Sequence, residues 1–318
     1  MSELFLGFDT SCYTTSVACV NEDGIVLDER TVLSVAFGTR GLRQSEALFQ
    51  HIKNLPILTQ RVLNGVDTAA IRRVAVSAQP ILEPESYMPV FLAGKNTAVA
   101  VASALKVPLL QTAHQYGHVR AALFTNDTLF AEPSFLAMHI SGGTTDVLQV
   151  AMEHGQIASI ACLGSSNDLH AGQMVDRVGV ALSLPFPCGR HLEALAKKAQ
   201  DRDLHAPSSV KGITCSFSGA ETQLQRAIEN GLAPEEAAYA VYDVLARTFA
   251  KMIQNAVAQT GERFVLLSGG VASSNLLREL LHKRLPETYL FFGMPALSSD
   301  NAVGVALLAR DQFPGAGR

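Results

Sequence analysis

Apolar and polar positions alternate in the same order in two stretches of this chain. Phe5-Leu6-Gly7-Phe8-Asp9-Thr10-Ser11-Cys12-Tyr13-Thr14-Thr15-Ser16-Val17 is echoed by Phe135-Leu136-Ala137-Met138-His139-Ile140-Ser141-Gly142-Gly143-Thr144-Thr145-Asp146-Val147. The Phe-Leu pair, the Ser, one Thr-Thr pair and the Val coincide without a gap, and Val20 and Val150 continue the match. Each copy reads as an apolar strand, a turn of small hydroxylated residues, a second strand, and a reversal at Asn21-Glu22-Asp23-Gly24 or Glu153-His154-Gly155. The pattern predicts two similar lobes, each opening with a β-hairpin. Facing turns of small residues suit a polyphosphate, because backbone N–H groups then approach its oxygens closely.

The rest of the pattern fills out two α/β lobes. A third strand is expected near Ile25 to Leu33, followed by a polar, glycine-containing stretch up to Arg43. Ala47, Leu48, Ile52, Leu55 and Leu58 keep helical spacing within a helix from about Ser45 to Leu63. Arg73 to Ser77 reads as a short buried strand, Asn96 to Leu105 as a helix and Pro108-Leu109-Leu110 as the start of a strand. In the second half, strands near 135–140, 147–152 and 157–162 precede helices at 170–183 and 190–200. A long helix is predicted from Pro234, a favourable first-turn residue, to Thr260, with Gly261 as its stop. Arg263 to Leu267 then forms a strand running into Ser268-Gly269-Gly270 and a helix at Asn275 to Lys283, an arrangement that aims N–H groups and a positive helix end at an anion. A strand near Tyr289 to Phe292 leads to Asp300, a last helix and a frayed Pro-Gly-Ala-Gly-Arg tail. The expected division is 1–132, joined by a C-terminal helix at about 300–312, and 133–299, with a cleft between the lobes.

Composition narrows the class. A chain of 318 residues with 48% hydrophobic content buries a full core and is long enough for two domains. The N-terminus lacks the charged and apolar regions of a leader, and no later run approaches a bilayer span, so a cytoplasmic location is expected. Five cysteines, Cys12, Cys19, Cys162, Cys188 and Cys215, include no Cys-x-x-Cys pair and read as reduced, mostly buried thiols. The net charge of -4 gives no global attraction to nucleic acid. Any RNA partner would need a local basic surface, for which the first half offers Arg40, Arg43, Lys53, Arg61, Arg72, Arg73, Lys95 and Arg120; scattered solvated charge is the simpler account of so dispersed a set.

Candidate chemistry gathers at a few points. His114 and His118, in His-Gln-Tyr-Gly-His, stand four apart at the start of a predicted helix, so both imidazoles project from one face toward a possible metal ion. Two imidazoles need a third ligand from elsewhere; without one they are two unrelated histidines. His139 and Asp300 lie at strand-exit positions, where α/β folds place functional groups. Three glycine-bearing segments remain: Ser141 to Thr145, Ser216-Phe217-Ser218-Gly219 and Ser268 to Ser273. Neither a P-loop nor Gly-x-Gly-x-x-Gly occurs in a suitable context, and Gly-x-Ser-x-Gly is missing.

In this order and spacing the motifs resemble those of the TsaD family, also called Gcp or O-sialoglycoprotein endopeptidase-like, of the actin/hexokinase/Hsp70 superfamily. The resemblance covers nearly the whole chain. Asp9-Thr10-Ser11 resembles the family's opening Asp-Thr-Ser, His114 to His118 its His-x-Glu-Gly/Ala-His, and Ser141 to Thr145 its Ser-Gly-Gly-His/Asn-Thr. Gly172, Asp176 and Arg177 resemble its Gly-Glu-Ala-Phe-Asp-Lys segment, and Pro187, Gly189 and Glu193 its Pro-Gly-Gly with a following acidic residue. Ser216 to Gly219 matches Ser-Phe-Ser-Gly, Ser268 to Ala272 matches Ser-Gly-Gly-Val-Ala, and Asp300-Asn301 matches the Asp-Asn before the last helix. The resemblance implies a two-lobed α/β fold and transfer of a threonylcarbamoyl group from its adenylate to N6 of the adenosine beside the anticodon of certain tRNAs, within a complex of partner proteins. It also implies an iron or zinc ion held by His114, His118 and Asp300, with His139 where archaeal relatives have a tyrosine ligand. Nucleotide or substrate would fall to Asp9, Ser11, Ser141, Gly142, Gly143, Thr144, Asp176, Gly189, Glu193, Gly269, Gly270 and Ser274.

The sequence departs from the family pattern at several of these points. Tyr116 replaces the usual Glu between the histidines, Thr144 replaces His or Asn, Ser165 a common Glu, and Ser274 an Asn. Glu221 stands where the family commonly has Lys, which matters if its side chain points inward. A divergent paralogue with another acyl group or acceptor is therefore one alternative. A non-catalytic nucleotide-binding scaffold is a second, and a carbamoyltransferase or kinase on the same fold a third. A protease is disfavoured, because the helix lacks the glutamate of His-Glu-x-x-His.

Overall fold

The computed structural model describes residues 2–11, 13–35, 42–201 and 204–314, which fall into two compact units, 1–124 with 299–318 and 125–298. Cys12, Arg40 and most of the terminal tail lie outside the described residues. In the first unit, β1 (Leu4–Asp9), β2 (Thr14–Val20) and β3 (Ile25–Val32) precede α1 (Gln44–Asn64), β4 (Ile71–Gln79), α2 (Phe91–Leu105), β5 (Leu109–Ala113) and α3 (His114–Ala122). The second unit contains β6 (Ser134–Ile140), β7 (Thr145–Glu153), β8 (Gln156–Ser165), α4 (Ala171–Ala181) and α5 (Gly189–Ala196). It continues with β9 (Ser209–Lys211), β10 (Thr214–Ser216), α6 (Ser218–Glu229), α7 (Pro234–Thr260), β11 (Phe264–Ser268), α8 (Asn275–Arg284) and β12 (Tyr289–Phe292). The chain then completes the first unit with α9 (Val303–Asp311).

The two large sheets share one plan. Their strand orders are β3-β2-β1-β4-β5 and, read in the same sense, β8-β7-β6-β11-β12. In both, the first two strands form an antiparallel hairpin and the next two neighbours are parallel. Even the register repeats: Phe8 faces Val17 and Asp9 faces Ser16, while Met138 faces Val147 and His139 faces Asp146, the same pairs displaced by 130 (138 − 8 and 147 − 17). The structure is thus the duplicated α/β fold expected of the actin/hexokinase/Hsp70 class.

Strand alternation decides which face meets which helices. On the first sheet Leu4, Leu6 and Phe8, with Val17, Val74 and Val76, pack against Leu55, Leu58, Val62, Ala98 and Ala102 of α1 and α2. The opposite face receives α9, which comes so close that a Cβ on Gly7 would stand 2.4 Å from the Ala302 carbonyl oxygen. On the second sheet Leu136, Met138, Ile140, Val147, Val265 and Leu267 share a core with the helices around α7. That helix runs from Pro234 to Thr260 as its end signals dictate: proline loses nothing at the first turn, and Gly261 takes the left-handed conformation at φ 80° that ends it.

Several expectations need correction. Ile52 keeps the period of α1 but is 54% exposed, and the buried positions are Ala47, His51, Leu55, Leu58, Thr59 and Val62. The inward stripe keeps Ala47, Leu55 and Leu58 but takes His51 in place of Ile52, where Thr15 Oγ1 meets the His51 imidazole at 2.9 Å and Asn54 donates to the same hydroxyl. Arg120 leaves the proposed basic surface: it is 3% exposed and paired with Asp311. Arg61 and Arg72 carry Glu29 and Glu3 as surface partners, which weakens the set further. The cysteines agree with the expectation of mostly buried thiols: among those described, Cys19, Cys188 and Cys215 are buried and Cys162 is exposed. None of the described helices is long and apolar enough to cross a membrane.

Candidate functional site

The strand-to-helix junction of β5 and α3 presents His114 and His118, one turn apart on the same face. Asp300, three residues before α9, meets them from the other end of the chain. The two Nε2 atoms are 2.8 Å apart, and Asp300 Oδ1 lies 3.5 Å from the first and 3.4 Å from the second. All three ligand atoms fall within 4.8 Å of one another, forming the triangle of nitrogen and carboxylate donors that a divalent transition metal takes. A tetrahedral ion with bonds near 2.0–2.1 Å wants donor atoms about 3.3 Å apart, so the set fits after a sub-ångström adjustment.

Asp9 is the residue that orients this triangle. It ends β1 with no exposure, and its Oδ2 accepts from Ser77 Oγ at 2.5 Å and pairs with His114 Nδ1 at 2.9 Å. Its Oδ1 accepts from the Ser11 amide at 2.9 Å and the Ser11 hydroxyl at 2.5 Å. A carboxylate on Nδ1 holds the proton there and turns the Nε2 lone pair toward the metal position, the usual outer-shell support of a histidine ligand. The resemblance implied a nucleotide or substrate role for Asp9 and Ser11; in the structure Asp9 bonds His114, and Ser11 bonds Asp9.

The electrostatics point to a cation. Burial works against protonation of His114, but Asp9 and then Asp300 outweigh it and push its pKa up to about 10. Burial and the neighbouring His114 charge lower that of His118. For Asp300, burial favours the neutral acid, yet the two imidazoles hold its carboxyl well below the ordinary range. Without a metal, the proton on His114 is therefore the cation that two carboxylates retain, and a metal must displace it. Because the His114 pKa is raised, apparent affinity should climb about tenfold per pH unit through neutrality and level off near 10. Zinc or cobalt titrations between pH 6.5 and 8.5 check this, and a flat profile would exclude proton displacement.

The second unit carries the glycine turns. Strands β6 and β11 are parallel neighbours with Ser268 beside His139, so the turns that follow them leave the same edge of the sheet. His139 is 3% exposed, and its ring lies against the backbone of Gly269. The glycines divide into two kinds. Gly269 has φ +94° and a Cβ there would stand 2.3 Å from the Ile140 carbonyl oxygen, so the turn itself demands it. Gly142, Gly143 and Gly270 would meet nothing within 4 Å and need no positive φ. The fold leaves their faces open, as close approach by a ligand requires. Around them, Ser141 N donates to Thr144 O at 2.8 Å, and the α4 terminus closes on the turn through Gly172 N to Ser141 O at 3.1 Å.

The start of α8 is already occupied. Glu193 Oε1 accepts from Leu276 N at 3.0 Å, and Ser274 Oγ from Leu277 N at 3.2 Å. The helix end that the sequence offered to an anion thus holds the protein's own carboxylate. Asp176 accepts from Cys188 N at 2.8 Å, and burial raises its pKa. Gly189 accepts from the Tyr242 hydroxyl at 3.0 Å. Glu221 points into the protein: it is 8% exposed and bonded to Gln225. Helix α6 lies outside the elements that the sequence pattern predicts, where Ser216 to Gly219 stands only as a glycine segment. Its signal was Ser218 followed three residues later by Glu221, although the carboxylate that caps the helix is Asp168, bonded to the amides of Phe217 and Ser218.

The family model for TsaD, tRNA N6-adenosine threonylcarbamoyltransferase, matches residues 31–307. The chain belongs to the TsaD family. Among its relatives, a tRNA N6-adenosine threonylcarbamoyltransferase of Thermus thermophilus is 31% identical over 96% of this chain and 91% of its own length. That of Methanopyrus kandleri is 30% identical over 95% of this chain and 85% of its own. A probable bifunctional tRNA threonylcarbamoyladenosine biosynthesis protein of Methanocaldococcus jannaschii is 27% identical over 95% of this chain and 54% of its own length. Among solved structures, HypF of T. kodakarensis aligns with a TM-score of 0.60 at 16% identity over 96% of this chain and 47% of its own. A ROK family glucokinase of Streptomyces griseus aligns with 0.56 at 10% over 97% and 99%. These two likenesses bear on the fold alone. Membership in TsaD places the chain among transferases of tRNA threonylcarbamoylation.

Proposed function

We propose that the protein is a metal-dependent, adenine-nucleotide-binding acyltransferase that passes a threonylcarbamoyl group from its adenylate to N6 of a tRNA adenosine. The observation that carries the reading is the triangle of His114, His118 and Asp300 with Asp9 behind it. These three residues would hold iron or zinc. A bound ion of that kind supplies a Lewis acid that polarises an acyl carbonyl and stabilises the charge developing on its oxygen. Asp9 keeps the His114 Nδ1 proton in place, so the other ring nitrogen stays a ligand. The turns at Gly142, Gly143 and Gly270 leave open faces against which phosphate would rest, and Asp176 and Glu193 are among the residues that the resemblance implies for nucleotide or substrate.

The M. jannaschii relative, named as bifunctional in tRNA threonylcarbamoyladenosine biosynthesis, supports action on tRNA beside a partner function; work within a complex of partner proteins in the cytoplasm is part of the same proposal. A reconstituted reaction with threonylcarbamoyl-adenylate, tRNA and the partner proteins should give the modified nucleoside, read by mass spectrometry of digested tRNA. Nucleotide binding by calorimetry without turnover, beside an active relative as control, would leave a scaffold role instead.

A further inference from the structure

The metal triangle is assembled from two distant parts of the chain, and something must fix the distance between them. His114 and His118 belong to α3, whereas Asp300 belongs to the segment leading into α9. The two helices meet at a pair of glycines. A Cβ on Gly304 would stand 1.9 Å from the Gly117 carbonyl oxygen and 3.0 Å from Ala121 Cβ. One on Gly117 would stand 3.0 Å from Val305 Cγ2. Gly117 lies in the single turn between the two histidine ligands, and Gly304 lies four residues after the aspartate. Neither glycine has a positive φ, so the residue type answers to the approach of the helices and not to backbone conformation.

The rest of α9 is held in a fixed place on either side of that crossing. At its start, Ser16 Oγ accepts from Ala302 N at 2.9 Å and Asn301 Oδ1 from Gly304 N at 3.3 Å. At its end, Arg120 of α3 pairs with Asp311, both side chains being at most 5% exposed. Residues 303 to 310 are all buried. Packed interiors adjust little, so a methyl group inserted at the crossing must tilt or displace one helix. The ligand atoms lie at the near end of this joint, and a displacement of half an ångström there is a large error for a metal bond.

We propose that Gly304 is a positioning residue of the metal centre, acting through Asp300 by letting α9 approach the Gly117 carbonyl of α3 closely enough to close the ligand triangle. This rests on the metal reading above. The test uses the full-length protein and cobalt(II), whose absorption spectrum reports coordination geometry. Gly304→Ala should weaken cobalt binding at least tenfold and alter its spectrum, because its methyl meets the Gly117 carbonyl, a backbone atom that cannot rotate away. Gly117→Ala meets only a Val305 methyl at 3.0 Å and should leave affinity and spectrum close to those of the parent. Leu58→Ala, on the buried face of α1 in the same unit, should lower the melting temperature and leave cobalt binding unchanged.

Wild-type cobalt affinity and spectrum in Gly304→Ala would overturn the positioning role. So would affinities that follow melting temperature across all three variants. Absence of cobalt binding by the wild-type protein, with no response to His114→Ala, would instead overturn the metal reading and the positioning role with it.

Discussion

Asp300→Ala is expected to empty the metal triangle and to abolish acyl transfer while leaving the protein folded. The carboxylate is one of three converging donors, at 3.4 and 3.5 Å from the two imidazole nitrogens. Structural zinc sites bind with about 10 kcal/mol or more, so one ligand in three or four is worth roughly 3 kcal/mol, on the order of 10²-fold in affinity. The fold should survive, because α9 keeps the Ser16 bond at its start and the Arg120 pair at its end. The purified variant should carry almost no metal by elemental analysis, should melt within a few degrees of the parent, and should form no modified nucleoside. His114→Ala should behave alike. Full metal content in the Asp300 variant would remove this residue from the ligand set. His139→Ala decides the fourth position in the same assay: the resemblance calls for a loss of metal, and an unchanged content would leave His139 as packing against Gly269.

The second large effect separates glycines that the fold needs from glycines that stand open. A Cβ on Gly172 would lie 2.7 Å from Gly142 Cα and N and 2.8 Å from the Ser141 carbonyl oxygen, all backbone atoms that cannot rotate away. Gly172→Ala must push α4 off the turn and break both the bond from Gly172 N to Ser141 and that from Ala171 N to Thr145 Oγ1, 2.9 Å long. A loss of about 2–4 kcal/mol in denaturant unfolding is expected, together with loss of nucleotide binding. Gly142→Ala meets no neighbour, so its stability should stay within about 0.5 kcal/mol of the parent. Its nucleotide affinity should nevertheless fall, because the methyl occupies the face where phosphate would rest. Unchanged affinity in Gly142→Ala would take this turn out of the nucleotide site.

Glu193 and Glu221 show how far a motif carries and where it stops. Both were visible as acidic residues at informative positions. Their directions were not, because each depends on how its helix packs in the finished unit. Glu193 turns to the start of α8, 83 residues away, and Glu221 folds inward beside Gln225 on its own helix. The same holds for the basic set of the first half, where Arg120 reads as a surface charge until Asp311, 191 positions later, comes to bury it.

The amino-acid sequence by itself determined what is local. The repeated hairpins appear in the same register in both sheets, and α7 starts at Pro234 and ends before Gly261, because strand alternation and helix ends are written within a few neighbouring residues. The two histidines of α3 were legible for the same reason, being one helical turn apart. Tertiary structure alone decided that Ile52 faces outward, that Asp9 braces His114 across 105 positions, and that two glycines let α3 and α9 touch. Those outcomes depend on which surfaces meet once the helices are packed, and no short-range pattern encodes a contact between segments that only the finished core brings together.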